Sequence, residues 1–314
     1  MNFYASSEYL QVVADVYFAG KSTRVADVGV GDQVLRVLVV EDREVATDVP
    51  FLDYHMPLRA DEIGRVERRY ASAPRVAHGI ITSDEVRTDA HRGPLAAPYV
   101  DWLRFASYER YHAWLEARHK STIKQHSRLR SRLAERFGAL EFTVDDTRPD
   151  VVDLALQWKS SQFRETGLVD LFSDPRNVRY FEVLRDRGLL VASTLRASGR
   201  LLSVWLGFIH DGVWSGWIFA YDHAPELKPY SIGYQLMHSI LAHSSASGHR
   251  EFDFSYGGQD WKWFFATHGR VLRPLDGERR FGAAREIAKT ALKRMRLLET
   301  ARALRKALGG TAKP

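Results

Sequence analysis

Residues 189–262, LLVASTLRASGRLLSVWLGFIHDGVWSGWIFAYDHAPELKPYSIGYQLMHSILAHSSASGHREFDFSYGGQDWK, decide how the chain folds. Three apolar runs, Leu189 to Leu195, Leu201 to Ile209 and Val213 to Ala220, are separated by Ser198-Gly199 and Asp211-Gly212. Such dipeptides supply the positive φ angles of two-residue hairpin turns, so the runs are expected to form an antiparallel meander. They alternate poorly between polar and apolar, as strands do when both faces of a sheet are covered. A loop through Asp222 and Ser231-Ile232-Gly233 then opens a helix over Gly233 to Ser247, and Gly248 stops it. Glu251-Phe252-Asp253-Phe254 follows as a strand expected to lie parallel beside the third run. That order brings a helix N-terminus to the crevice at the C-terminal end of a strand. Partial positive charge collects there, and phosphate groups can dock.

Working outward, Leu140 to Val144 reads as a strand. Asp150 to Glu165 reads as a helix with Val151, Leu154, Ala155 and Trp158 on one face. Asp174-Pro175 is an N-cap with proline at the first helical position, opening a helix that ends at Gly188. Val271 to Leu275 is a last strand. The order is β-α-α-β-β-β-α-β, finished by a short helix and a strand. Upstream, Ser107 caps a helix with Glu109 and Arg110 in its first turn. That helix runs, with a break, through Arg136 and ends at Gly138. Its apolar positions (Ile123, Leu129, Leu133, Phe137) are sparse, so it reads as a wet bridge between two halves. The first hundred residues form a small α/β unit. It has a helix over Tyr9 to Phe18, a buried strand over Val34 to Val40 and a turn at Asp42-Arg43-Glu44. Strands follow at Arg75 to Thr82 and Tyr99 to Ala106, with a loop over Ala90 to Pro98.

The 314 residues exceed one average domain, and 45% hydrophobic residues with 8 Trp, 13 Tyr and 16 Phe suffice for a full core. No cysteine is present, which excludes disulfides, a thiol nucleophile and thiolate metal sites. The start Met1-Asn2-Phe3-Tyr4-Ala5-Ser6 lacks a basic leader, and no run reaches the roughly 20 apolar residues of a membrane span. A soluble, cytoplasmic protein is expected. The net charge of +6 is concentrated in Lys120, Lys124, Arg128, Arg130, Arg132 and Arg136, and in a second block from Arg279 to Lys306. Either is a polyanion-binding surface or a solvated helix face. The 12 histidines form no metal-ligand pattern: His238 and His243 are five apart, and His210, His223, His249 and His268 fall in turns. No metal site, P-loop or serine elbow is expected.

Four motifs, in order, carry a resemblance. They are Asp53-Tyr54 with Pro57-Leu58; the basic helix from Ser107-Tyr108-Glu109 to Arg136; Ala220-Tyr221-Asp222 with Tyr230-Ser231-Ile232-Gly233; and Phe252-Asp253-Phe254 followed by Gly257, Gly258, Trp261 and Lys262. Together they span residues 50 to 265, and the chain resembles the CelD-type, FemAB-like branch of the GNAT acyltransferase superfamily. That resemblance implies an α/β (α+β) fold of tandem GNAT-like halves, each a mixed, mostly antiparallel sheet flanked by helices. Residues 1–138 would form a degenerate GNAT-like half with the bridging helices. Residues 139–276 would form the acyltransferase half, and 277–314 a basic amphipathic helix and tail. Two departures stand out: Ile232 replaces the usual proline of the loop, and Trp261 replaces a tyrosine before the terminal lysine.

The implied chemistry is transfer of an acyl group from an acyl-CoA-type thioester to an amine of a small molecule or a sugar or cell-envelope precursor. Such a site aligns carrier and amine, removes a proton and stabilises an oxyanion. Lys228, Tyr230, Ser231, Ile232, Gly233 and Tyr234 are the candidate carrier-binding residues, with Gly233 allowing close backbone approach. Lys262 is the foremost catalytic candidate. Asp253, on a central strand where a carboxylate is costly unless paired, would orient it or accept a proton. Tyr256 and Asp222 are candidate acid or base. Trp205, Trp214, Trp217, Phe219, Trp261, Trp263, Phe264 and Phe265 line an acyl or sugar pocket or else fill the core. Rival readings are an aminoacyl-tRNA-dependent FemAB-like transferase and a non-catalytic accessory protein of polysaccharide biosynthesis. The apolar stripe Ala288, Leu292, Met295, Leu298, Ala301, Leu304 and Leu308, flanked by basic residues, would dock on the body or lie on the inner face of the membrane.

Overall fold

The computed structural model describes residues 3–30, 33–45, 51, 55–58, 80–87, 96–255, 257 and 259–274. The C-terminal stripe, Asp53, Tyr54, Tyr256 and Gly258 lie outside them. The meander from the decisive stretch is β8 (Val191–Ala197), β9 (Arg200–His210) and β10 (Val213–Tyr221). Both of its turns have the two positive φ angles of the tight hairpin type, at Ser198 and Gly199 (45° and 81°) and at Asp211 and Gly212 (50° and 71°). The following helix α5 (Ile232–Ala246) returns the chain to β11 (Glu251–Asp253), which pairs parallel with β10 as expected.

Upstream, β7 (Leu140–Thr143), α3 (Asp150–Glu165) and α4 (Pro175–Asp186) complete the predicted order. Asp174 caps α4 by accepting from Arg176 N, with Pro175 in the first turn. The long helix α2 (Tyr108–Phe137) breaks at His119 (φ −137°, ψ 40°) and ends at Gly138. Downstream are the short α6 (Asp260–Phe265) and β12 (His268–Pro274). The first hundred residues give α1 (Ser7–Tyr17), β1 (Thr23–Val30), β2 (Gln33–Val40), β3 (Arg43–Val45), β4 (His55–Leu58), β5 (Ile80–Arg87) and β6 (Ala96–Asp101).

Several boundaries move. The turn after β2 falls on Glu41-Asp42, and Arg43 already starts a strand. β1 escaped the sequence reading; it is held by an eight-residue antiparallel ladder with β2. β6 begins inside the expected loop and stops at Asp101, whose carboxylate accepts from Leu103 N and turns Trp102–Arg104 into a single helical turn.

Nine strands form one sheet in the order β4-β5-β12-β6-β11-β10-β9-β8-β7, and β1-β2-β3 form a second. β12 inserts between β5 and β6, so strands from both expected halves are hydrogen-bonded into one continuous sheet with β11 at its middle. The core is shared as well. On one face α1, α3 and α4 pack against Val204, Leu206, Ile218 and Ala220. Tyr17 of α1 donates to Asn177 of α4 (2.7 Å). On the other face α2, α5 and α6 cover Leu195, Trp205, Trp214 and Phe252. A register shift between Gly216 and Ile218 turns Trp217 onto the same face as Ile218.

Candidate active site

β10 and β11 pair over only three residues each, Val213–Ser215 with Glu251–Asp253. β10 then runs on to Tyr221 with only β9 beside it among the described residues, while β11 ends. Two parallel strands that part in mid-sheet free strand-edge donors and acceptors from ladder pairing, and α5 starts at the far end of β10. Phe219 and Trp261 meet across this region (5.1 Å between ring centroids), and Trp205 stands edge-on to both. Gly216 makes the packing possible, since a Cβ there would lie 2.1 Å from the Trp205 indole.

β11 ends for a local reason. The Asp253 carboxylate accepts from Ser255 N (2.8 Å), and Ser255 adopts φ 61°, turning the chain out of the sheet. The Ser255 hydroxyl is buried without a hydrogen-bond partner among the described residues. Lys262, from α6, donates to Ser255 O at 3.5 Å and is itself only 8% exposed. Asp253 and Lys262 thus share one buried corner, both joined to Ser255. Burial pushes the Asp253 carboxyl up from its ordinary range, and Arg270, the Ser255 N–H and Lys262 offset part of that.

Arg270 is the residue the sequence reading missed. It lies 3.7 Å from Asp253, pairs more closely with Glu251, and stacks over the Tyr99 ring at 4.0 Å. The sequence does not single it out, because the same terminal strand also carries His268 and Arg273. Tyr256, the neighbouring candidate, lies outside the described residues. Asp222 sits apart in character: one oxygen accepts from Arg200 (2.6 Å) and the other from Ala224 N (2.9 Å). Both oxygens fasten the loop after β10.

The carrier-loop candidates divide. Lys228 is exposed, whereas the side chains of Tyr230 and Ile232 are buried against Leu133, Leu202 and Leu227. Ser231 takes φ 51° and its side chain does not cap α5; its main-chain oxygen accepts from Tyr234 N (2.9 Å) instead, and the N–H groups of Ile232 and Gly233 receive no side-chain cap. The open side of Gly233 faces the Phe219 ring, 2.9 Å from where a Cβ would stand. Here the glycine admits an aromatic ring. Tyr234 leans on His126 (4.5 Å between centroids).

A buried chain also joins α2 to α5: Tyr108 Oη to His238 Nδ1 (3.3 Å) and His238 Nε2 to His126 Nδ1 (3.2 Å). Burial, with His126, His112 and Arg130 nearby, pulls His238 down to about 3, so this bridge is neutral at pH 7. Only the fold brings these histidines together. Among the described residues no group of three or more His, Asp or Glu is placed to hold a metal.

Residues 120–263 match the family model described as an acetyltransferase (GNAT) domain. The chain is thereby placed in the general class of acyltransferase enzymes. A crystal structure of FemX superposes with a TM-score of 0.52 at 9% identity, covering 87% of this chain and 92% of that one. The C-terminal domain of a putative lysylphosphatidylglycerol synthetase from Agrobacterium fabrum gives 0.48 at 13% identity, covering 91% and 96%. At such identities the FemX likeness concerns the fold alone. No curated protein matches the chain.

Proposed function

We propose that this chain is an N-acyltransferase of the CelD-type, FemAB-like kind, moving an acyl group from an acyl-CoA-type thioester to an amine of a small molecule or a sugar or cell-envelope precursor. The observation that carries the reading is the parting of β10 from β11 beside the uncapped start of α5. The uncapped N–H groups of Ile232 and Gly233 at this helix start suit the phosphates of a carrier, with exposed Lys228 shortly before them in the chain. The freed edge of β10 suits an extended thioester arm. Lys262 stabilises charge that develops on the acyl oxygen, and Asp253 and Ser255 hold the lysine in place. Residues 139–276 form the catalytic half in this reading, with 1–138 as its support. A thermal-shift series with acyl-CoAs of rising chain length tests it. A carrier at 100 times its dissociation constant stabilises the fold by about 2.7 kcal/mol, and no stabilisation by any member of the series rejects the reading.

One observation favours an aminoacyl-tRNA donor as a second reading. Lys120, Lys124, Arg128, Arg132 and Arg136 recur every fourth residue along α2, all exposed, and none pairs with a carboxylate among the described residues. Phosphate contacts of this kind give steep salt dependence. Binding of charged tRNA that weakens sharply between 50 and 200 mM salt, with no acyl-CoA stabilisation, would favour this donor. No described helix is long and apolar enough to cross a membrane.

A further inference from the structure

The inner face of α3 carries Val152, Ala155 and Leu156, all buried against the sheet. The next position on that face, where the helical period calls for another apolar residue, is Lys159. Its amine reaches the main-chain oxygen of Phe219 (3.3 Å) and the side-chain oxygen of Gln162 (2.9 Å), and lies over the Phe163 ring at 5.4 Å. Phe219 belongs to the stretch of β10 that has left β11 behind, so Lys159 approaches the same parted strand as the proposed site, from the α3 side. No carboxylate partners it among the described residues. Asp170, on the loop after α3, is held by Ser160 (2.6 Å) and Arg164 (2.8 Å). Glu165 and Asp153 face solvent.

Two acceptors are what a neutral amine needs. Its two N–H bonds go to Gln162 and Phe219, and its lone pair is left over. An ammonium would direct its third N–H to the Phe163 ring or to solvent, so both protonation states can be held here. Burial alone accounts for the titration of this group, pulling it down to about 8, and the residue keeps part of its surface open.

We propose that Lys159 is the general base of acyl transfer. As the acceptor nitrogen forms its bond to the acyl carbon, Lys159 Nζ takes the proton that nitrogen loses. The carbon–sulfur bond of the thioester breaks, its electron pair leaves on sulfur, and the protonated lysine passes its proton to the thiolate or to water. A base poised near the working pH suits this task. The inference rests on the acyl-CoA reading above.

Two measurements on the full chain test it. In competitive labelling with trace acetic anhydride across pH, the Lys159 peptide is expected to show a midpoint near 8. A midpoint at the ordinary lysine value of about 10.4 overturns the proposal. With acetyl-CoA and a panel of primary amines, Lys159→Gln is expected to cut turnover at least about 100-fold and to remove an alkaline rise centred near pH 8. Lys159→Met, which gives the face its apolar residue, is expected to keep or raise the melting temperature and to lose turnover equally. Lys159→Arg is expected not to rescue, because a guanidinium does not release its proton. Rescue by arginine would mean anion recognition and overturns the base, as does unchanged turnover in Lys159→Gln. Wild-type protein that is neither stabilised by acetyl-CoA nor turns it over rejects the acyltransferase reading and this inference together.

Discussion

Asp146 and Asp253 are equally buried, at 5% and 4% exposure, yet their surroundings push them in opposite directions. Burial raises Asp146, but this is outweighed by hydrogen bonds from the Arg148 and Thr194 side chains, by the Arg148 N–H and by the charge of Arg196, so it is held well below the carboxylate range. Its oxygens lie 2.5 Å from Arg148, 2.8 Å from Thr194 and 3.3 Å from Arg196. Asp253 accepts one backbone N–H, and Arg270 stands at 3.7 Å; burial wins and the carboxyl is raised. Fully partnered charge at the edge of the sheet, near β7 and β8, fastens loops. Under-compensated charge on the middle strand, beside a lysine and a buried, unpartnered serine hydroxyl, is the pattern expected where chemistry is performed.

The comparison can be broken by mutation. The largest effect is expected from Asp146→Ala, which strands the Arg196 guanidinium in the interior. A loss of about 3–5 kcal/mol in denaturant unfolding should follow, and a loss below 1 kcal/mol would deny Asp146 its fastening role. Next comes Lys262→Ala, expected to lower acyl transfer about 10²–10³-fold, the scale of losing one oxyanion donor. The unfolding midpoint should stay close to wild type, and near-wild-type turnover would remove Lys262 from the site.

The acid limb separates the two aspartates without a substrate. Because the folded state depresses Asp146, its contribution is present above the unfolded value of about 3.9 and is lost as pH falls through the lowered folded one. For Asp253 the sign reverses: its contribution is complete below about 3.9 and is lost as pH rises through its raised value. Each changes stability by up to about 1.4 kcal/mol per pH unit inside its window. Asp146→Ala should flatten the profile below pH ~3.9, and Asp253→Asn the part above it. The smallest effect is the neutral-pH stability of Asp253→Asn, expected within about 1 kcal/mol of wild type because the amide oxygen still accepts from Ser255 and a poorly solvated charge is gone. A loss of several kcal/mol there would make Asp253 a second fastener.

Much of the fold was legible in the chain because its signals are local. Ser198-Gly199 and Asp211-Gly212 can take the backbone angles of tight turns, Asp174-Pro175 opens a helix and Gly138 closes one. The corner of the candidate site was legible too, since Asp253 and Lys262 are nine residues apart and one turn with one short helix joins them. Contacts that cross the sequence were not. Arg270 reaches Asp253 only because β12 enters the sheet beside β6, and His126 meets His238 only because α2 crosses α5. Lys159 left a trace, a cation at an apolar helix position, but its meaning required Phe219 of β10 beside it.

The sequence by itself therefore determined the elements from β7 to β11, their order and the parallel return of β11 to β10, because turn angles, caps and helical periods act over a few residues. Tertiary structure alone decided that strands from both ends of the chain would share one sheet, that Gly233 would admit the Phe219 ring, and that burial would be outweighed at Asp146 and would prevail at Asp253. Those outcomes depend on which distant groups burial brings within hydrogen-bond reach, and burial is a property of the packed whole.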